Sequence, residues 1–142
     1  MKFKYSRWLL NPTAAFPHQY SILRPVIPIA IKYQNKQLRI SALLDTGSDY
    51  CLFHESMGKE LGIPVKQGKQ VGFAGSTGVG TAYFHNVILE IGGWGHECFA
   101  GFTPDLDKVG VPYGVLGHGG FFDHYEVIFN FKKEVIEVKK SV

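Results

Sequence analysis

Short apolar runs separated by glycine-containing turns recur roughly every ten residues along the chain, and this punctuation limits the folds open to it. Glycine accounts for 17 of the 142 residues. Two of the runs, VIPIAIKY and KQLRISALLD, are separated only by Gln34 and Asn35, which indicates a β-hairpin with a short polar turn. The pattern predicts an all-β domain, that is, mostly β with one or two short helices.

The other runs predict the remaining elements in the same way. The stretch HESMGKELGIP predicts one short helix that ends at Gly62, because Pro64 cannot continue it. The stretch KQVGFAGSTGVGTAYFHNVILEIGG predicts two strands around a glycine-rich tip, and YEVIFNFKKEVIEVKK predicts a strand, a turn and a strand. Three shorter runs, YCLF, HECFAGF and YGVLG, are further strand candidates. Pro25 and Pro28 restrict the start of the first hairpin strand to an edge or to a strand entry.

Composition argues against several classes of protein. The net charge of +3 and the scattered basic residues give no basis for nucleic-acid binding. No apolar run approaches the ~20 residues of a membrane helix, and the first apolar patch is shorter than the roughly 7–15 residues of a signal-peptide core. We therefore expect a cytoplasmic protein that does not bind membranes. Cys51 and Cys98 are too few for a disulfide framework and are predicted to be buried thiols, with pairing between them left open.

The stretch ALLDTGSDYCLF places a carboxylate, Asp45, directly after an apolar run. A lone ionised carboxylate is costly to bury, so Asp45 lies either at a turn facing water or in a built site with a partner. Taken alone, Asp-Thr-Gly favours the turn. Its context favours the site, because a second apolar strand, a glycine-rich hairpin and the run YGVLGHGGFF follow in that order.

This order of features resembles the single-domain retroviral-type aspartic proteases, the retropepsins, over roughly Pro25 to Val138. LLDTGSD is similar to the active-site loop of that family, VGFAGSTGVGTAYF to its flap, and GVLG to the apolar element that threads beside the loop. The resemblance implies a retropepsin-like closed β-barrel, the half-fold of acid proteases, with a flap hairpin. It divides the chain into an N-terminal extension, 1–24, and a protease domain, 25–142. The family then has a helix, which the glycines of His118-Gly119-Gly120 would shorten or delay to near Phe121.

The resemblance also implies roles for individual residues. Asp45 matches the catalytic carboxylate, and Thr46 matches the position whose hydroxyl ties the two loops together across a dimer. Gly47 matches the place where the backbone passes close to substrate, and Gly117 would support the loop by allowing close backbone approach. Ser48 completes the loop, and we expect its hydroxyl to bond near the carboxylates and favour acidic operation. The substrate-binding positions implied are Asp49, Phe73, Ala74, Gly75, Ser76, Thr77 and Gly78.

One Asp-Thr-Gly supplies only half of a site that needs two carboxylates sharing a proton. The sequence therefore predicts a homodimer that pairs two Asp45 carboxylates and acts as an aspartic endopeptidase on peptide or protein substrates. The alternative is a catalytically silent member of the fold that binds a peptide or a partner. No cofactor is expected.

Histidine, cysteine and aromatic residues leave other interpretations to weigh. His96-x-Cys98 and His118 with His124 lack the spacing of a closed zinc site, so no metal is expected. Cys51 has no implied His or Asn partner and is interpreted as structural. Tyr83, Phe73 and Trp94 either line a peptide groove or pack in the core.

Overall fold

The computed structural model describes residues 1–75, 78–108 and 110–141, and within these ranges the chain is mostly β. Two short helices, α1 (Glu55–Glu60) and α2 (Asp105–Lys108), and a 3₁₀ turn, Val65–Gln67, interrupt the strands. The strands are β1 (Lys2–Lys4), β2 (Ser6–Leu9), β3 (Ser21–Arg24), β4 (Val26–Tyr33), β5 (Lys36–Leu44), β6 (Leu52–His54), β7 (Lys69–Gly75), β8 (Gly78–Ile91), β9 (Trp94–Thr103), β10 (Gly114–Leu116), β11 (Tyr125–Asn130) and β12 (Val135–Lys140).

Seven strands form the main sheet in the order β4-β5-β10-β6-β9-β8-β7. Strand β4 also pairs with β8, so six of the strands are hydrogen-bonded in a ring and β7 lies outside it. Apolar side chains from both ends of the chain fill the interior, including the fully buried Ile31, Phe102 and Ile136. The prediction of a mostly β domain with one or two short helices is confirmed for the described residues.

Elements with strong local signals occur where the sequence predicts them. The β4–β5 hairpin turns at Gln34 and Asn35. Helix α1 is followed by Gly62, whose φ is 77° and whose N–H donates to Lys59 O at 3.0 Å. The C-terminal strand, turn and strand are β11 and β12. Cys51 and Cys98 are both buried, as predicted, and the pairing that the sequence left open is settled, since neither forms a disulfide bond.

Three short strands precede Val26, where the sequence predicted none. Strand β1 pairs with β12, with Phe3 opposite Ile136, and β2 pairs with β3 as a separate hairpin. These strands are short, and β1 pairs with a strand more than a hundred residues away, so no local pattern revealed it. The division of the chain at residue 25 stays a prediction.

The prediction of a helix near Phe121 is wrong, since the described residues 118–124 contain none. Residues 118–124 form turns, in which Phe122 N–H donates to Gly117 O at 3.1 Å and Asp123 N–H to His118 O at 3.1 Å. Gly120 has a φ of 108°, outside the range of a right-handed helix. The two glycines therefore prevent the helix rather than delay it.

Among the described residues, no helix has the length and apolar character that crossing a membrane would require.

Candidate active site

Asp45 stands at the first position after β5, at the mouth of a tight turn. Strand β10 runs parallel to β5 with Leu116 opposite Leu44, and Asp45 N–H donates to Leu116 O at 3.0 Å. The turn closes on itself, since Ser48 N–H donates to Asp45 O at 3.1 Å and Gly47 N–H to Asp45 Oδ1 at 2.9 Å. The carboxylate is half-buried and fixed in direction by this turn.

The segment after β10 lies directly against the far side of the same loop. His118 N–H donates to Ser48 O at 2.9 Å and Gly119 N–H to Asp49 O at 2.8 Å. A Cβ at position 117 would stand 2.5 Å from Ser48 O and closer still to Tyr50 O, so only glycine fits there. The close backbone approach expected at Gly117 is present.

Ser48 is buried, and its hydroxyl donates to Tyr50 O at 2.8 Å. That proton braces the loop, and the Ser48 hydroxyl therefore does not donate to Asp45 in this arrangement. The expected effect of Ser48 on the proton affinity of the carboxylates stays a prediction. Thr46, Gly47 and Asp49 are exposed on the outer face of the loop.

Strand β7 and the start of β8 form a two-stranded ribbon, Val71–Gly75 with Gly78–Thr81, named "the ribbon" below. Phe73 pairs with Gly80 and Gly75 with Gly78. Of the predicted tip, Ala74, Gly75 and Gly78 lie in these strands, whereas Ser76 and Thr77 fall outside the described residues.

A pocket of about 110 Å³ separates the ribbon from the loop. It brings together three predicted substrate-binding residues, Asp49, Phe73 and Ala74. Its remaining lining residues are Ser48, Tyr50, Leu52 and Gly72. Tyr50, Leu52 and Gly72 were not predicted from the sequence to contact substrate. The one signal for such residues was the alternation of side chains in extended segments, which places every second residue on the same face.

The three aromatic candidates for the peptide groove lie in three different environments. Phe73 is half-buried and lines the pocket, and Tyr83 is half-buried against the main core. Trp94 does neither, because it is 51% exposed at the β8–β9 turn with Lys140 Nζ 4.7 Å from its ring centroid.

His96 and His124 stack with ring centroids 4.0 Å apart. His96 Nε2 lies 2.7 Å from Gly120 O and its Nδ1 lies 3.5 Å from the Tyr125 hydroxyl, so both ring nitrogens have protein partners. Within the described ranges, no three side chains of His, Cys, Asp or Glu come together in a group able to hold a metal ion. The histidine pair braces the turn that leads from Gly117 to β11.

This pair predicts a pH dependence of stability. Burial lowers the pKa of His96 from its ordinary 6.5, and the stacked His124 adds to the effect. The unfolded chain then takes up its proton first, so the free energy of unfolding should fall as pH drops from about 7 to about 5. In His96→Gln this fall should be smaller, whereas His18→Gln, in an exposed loop, should keep it. Denaturant titrations at several pH values measure both, and equal falls in all three proteins would contradict the assignment.

Comparison with known proteins confirms the predicted aspartic protease family and its retropepsin-like fold. A family model described as aspartyl protease matches residues 28–118, well over half of the chain. A retropepsin-like aspartic protease from Rickettsia conorii is similar in structure, with a TM-score of 0.57 and 14% identity over 94% of this chain and 98% of that one. The EIAV protease complexed with the inhibitor HBY-793 has a TM-score of 0.49 and 19% identity, over 67% of this chain and 82% of its own. No curated protein matches the chain.

Proposed function

The chain belongs to the aspartyl protease family, and from this premise we propose that it is an aspartic endopeptidase whose site is formed by two Asp45 carboxylates in a homodimer. The observation that carries the proposal is the position of Asp45. Its half-buried carboxylate accepts from Gly47 N–H within its own turn, and its backbone N–H donates to Leu116 O, at the edge of a loop whose Thr46 and Gly47 are exposed. A loop so placed leaves room for its counterpart from a second chain.

Two such carboxylates would supply the acid and the base of peptide hydrolysis. The ionised one takes a proton from a water molecule as its oxygen attacks the carbonyl carbon, and the protonated one gives its proton to the carbonyl oxygen. As this tetrahedral species breaks down, the C–N bond breaks and the carboxyl that took the water proton gives it to the leaving nitrogen. The other carboxylate takes back the hydroxyl proton as the new carboxyl product forms, so the pair again holds one proton. Two carboxylates about 3 Å apart do not both ionise readily, so the titration belongs to the pair.

The ribbon is proposed to act as the flap that closes over the substrate. An extended peptide between the ribbon and the loop would form main-chain hydrogen bonds, as in strand addition. The pocket between Asp49 and Phe73, at about 110 Å³, would accept one substrate side chain of modest size. Thr46 is proposed to tie the two loops together across the two-fold axis, and Gly47 to let the substrate backbone approach.

Cleavage of a mixed peptide library tests this function directly. The wild-type protein should cleave peptides within a range from about pH 3.5 to about pH 7.5, where one proton is shared by the pair. Asp45→Asn should cleave none. Absence of cleavage by the wild-type protein, at concentrations where sedimentation shows a dimer, would contradict the proposal and favour a binding module.

A further inference from the structure

The β8–β9 ladder stops at an identifiable point. Its last pair joins Tyr83 to Phe102, and β9 ends one residue later at Thr103. The next residue is Pro104, which has no N–H to continue the ladder. Two side chains satisfy the next backbone groups of β8 instead. Thr103 Oγ1 donates to Thr81 O at 2.7 Å, and Thr81 N–H donates to Asp105 Oδ2 at 2.8 Å.

Asp105 is held firmly for this role. Its own N–H donates to Thr103 Oγ1 at 3.0 Å, and Lys108 Nζ lies 2.6 Å from its Oδ1. Only 11% of its side chain is exposed. The next residue of α2, Leu106, is fully buried with Ala82 and Phe84, which fixes the helix to the body of the protein. Asp105 therefore connects a rigid element to the strand that becomes the ribbon.

Gly80 shows how close this contact is. A Cβ at position 80 would stand 2.5 Å from Asp105 Cβ and would overlap the carboxylate itself. Gly80 pairs across the ribbon with Phe73, which lines the pocket next to Asp49. The position of the Asp105 carboxylate thus sets where the base of the ribbon lies, and with it one wall of the pocket.

Beyond Thr81 the described strands of the ribbon pair only with each other, and Phe73 packs against the apolar cluster that includes Leu52 and Leu106. Because an isolated two-stranded hairpin is marginally stable in water, the contacts at its base contribute to its position. We propose that Asp105 is a positioning residue that anchors the base of the ribbon through Thr81 and so controls closure of the ribbon over the peptide. The inference rests on the proposed function only for its effect on catalysis. The anchor itself is a property of the free protein.

The anchor stays charged under acidic conditions. Lys108 and the Thr81 amide hold the pKa of Asp105 below its ordinary 3.8. The unfolded chain protonates first as pH falls, so the contribution of the ionised carboxylate to stability is present above about pH 4 and is lost below it. The ribbon therefore remains anchored above about pH 4, which covers most of the pH range in which cleavage is expected.

Hydrogen exchange of the free, full-length protein tests the anchor without any substrate. In Asp105→Ala, the Thr81 amide and the ribbon amides should exchange about tenfold faster or more, because a hydrogen bond to a charged group is lost. Core amides of β5 should keep their protection, which shows that the variant is folded. Lys108→Gln is the matched control, since it removes the ion pair but leaves the Thr81 bond. It should raise exchange much less.

If Asp105→Ala does not fold, Asp105→Leu takes its place, because leucine is close in shape to aspartate and has no acceptor for Thr81 N–H. Faster exchange confined to the ribbon in either variant supports the anchor. Unchanged ribbon exchange in a folded variant overturns it, whether or not the protein cleaves peptides. Faster ribbon exchange in a protein that cleaves nothing would retain the anchor and reject the protease proposal.

Steady-state kinetics separate positioning from general damage. Bound peptide restores the order of the ribbon, so Asp105→Ala should raise KM about tenfold and lower kcat by less than about threefold. Gly80→Ala places a methyl group against the carboxylate and should also raise KM. Asp105→Gly removes the Cβ of residue 105 as well as the carboxylate. In that background the methyl group of Gly80→Ala has room, so the effects of Gly80→Ala and Asp105→Gly should be clearly less than additive. Additive effects, or a loss confined to kcat, would contradict the proposed contact.

Discussion

Replacing Asp45 with asparagine is expected to reduce the rate of peptide cleavage by about a thousandfold or more, because both the general acid and the general base of the dimer are lost. The fold should survive the change. The side-chain oxygen of the introduced asparagine can still accept from Gly47 N–H, and the backbone bond to Leu116 O does not involve the side chain. Single-turnover cleavage and thermal unfolding of the same preparations measure the two effects.

Asp49→Asn is the matched control, an acid-to-amide change in the same loop. Asp49 lines the pocket and is exposed, so its loss should raise KM and leave most of kcat. An Asp45→Asn protein that keeps cleavage within threefold or so of the wild type would place the chemistry elsewhere.

Replacing Gly117 with alanine is expected to lower the free energy of unfolding by about 3 kcal/mol or more and to abolish cleavage. The added methyl group would overlap Tyr50 O and stand 2.5 Å from Ser48 O. Both are backbone atoms, so no rotamer change can relieve the contact. Separation of the two segments would also break the bonds from His118 N–H to Ser48 O and from Gly119 N–H to Asp49 O.

Gly95→Ala is the matched control for this change. A Cβ there would meet Ile88 Cγ2 at 3.4 Å, an ordinary contact at an exposed position. Denaturant titration should show a small effect for Gly95→Ala and a large one for Gly117→Ala. Comparable stability of the two variants would mean that the backbone contact at Gly117 can relax.

Local signals in the sequence predicted much of the fold. The β4–β5 hairpin, α1 and the ribbon are encoded by neighbouring residues, that is, by alternating side chains, a helix stop and glycines at turns. The ring closure between β4 and β8 and the pairing of β1 with β12 join distant segments, and no local pattern specified either one. Turns replace the expected helix at 118–124 because two adjacent glycines disfavour helical backbone there.

The candidate site was predictable where it consists of one motif. The loop from Asp45 to Asp49 and the element ending at Gly117 could be paired from the sequence, and the structure brings them into contact. The part that was missed depends on geometry across the sheet. Tyr50 and Leu52 both line the pocket because they are two residues apart in an extended segment, and Asp105 meets Thr81 because β9 ends at Thr103, directly before Pro104.

Mixing wild-type protein with Asp45→Asn at constant total concentration tests the central claim most directly. If each site needs Asp45 from two chains, and chains exchange freely, cleavage should follow the square of the wild-type fraction. An equal mixture would then retain about a quarter of the activity. A linear decline, with about half retained, would show that one Asp45 carries the chemistry alone and would contradict the paired site.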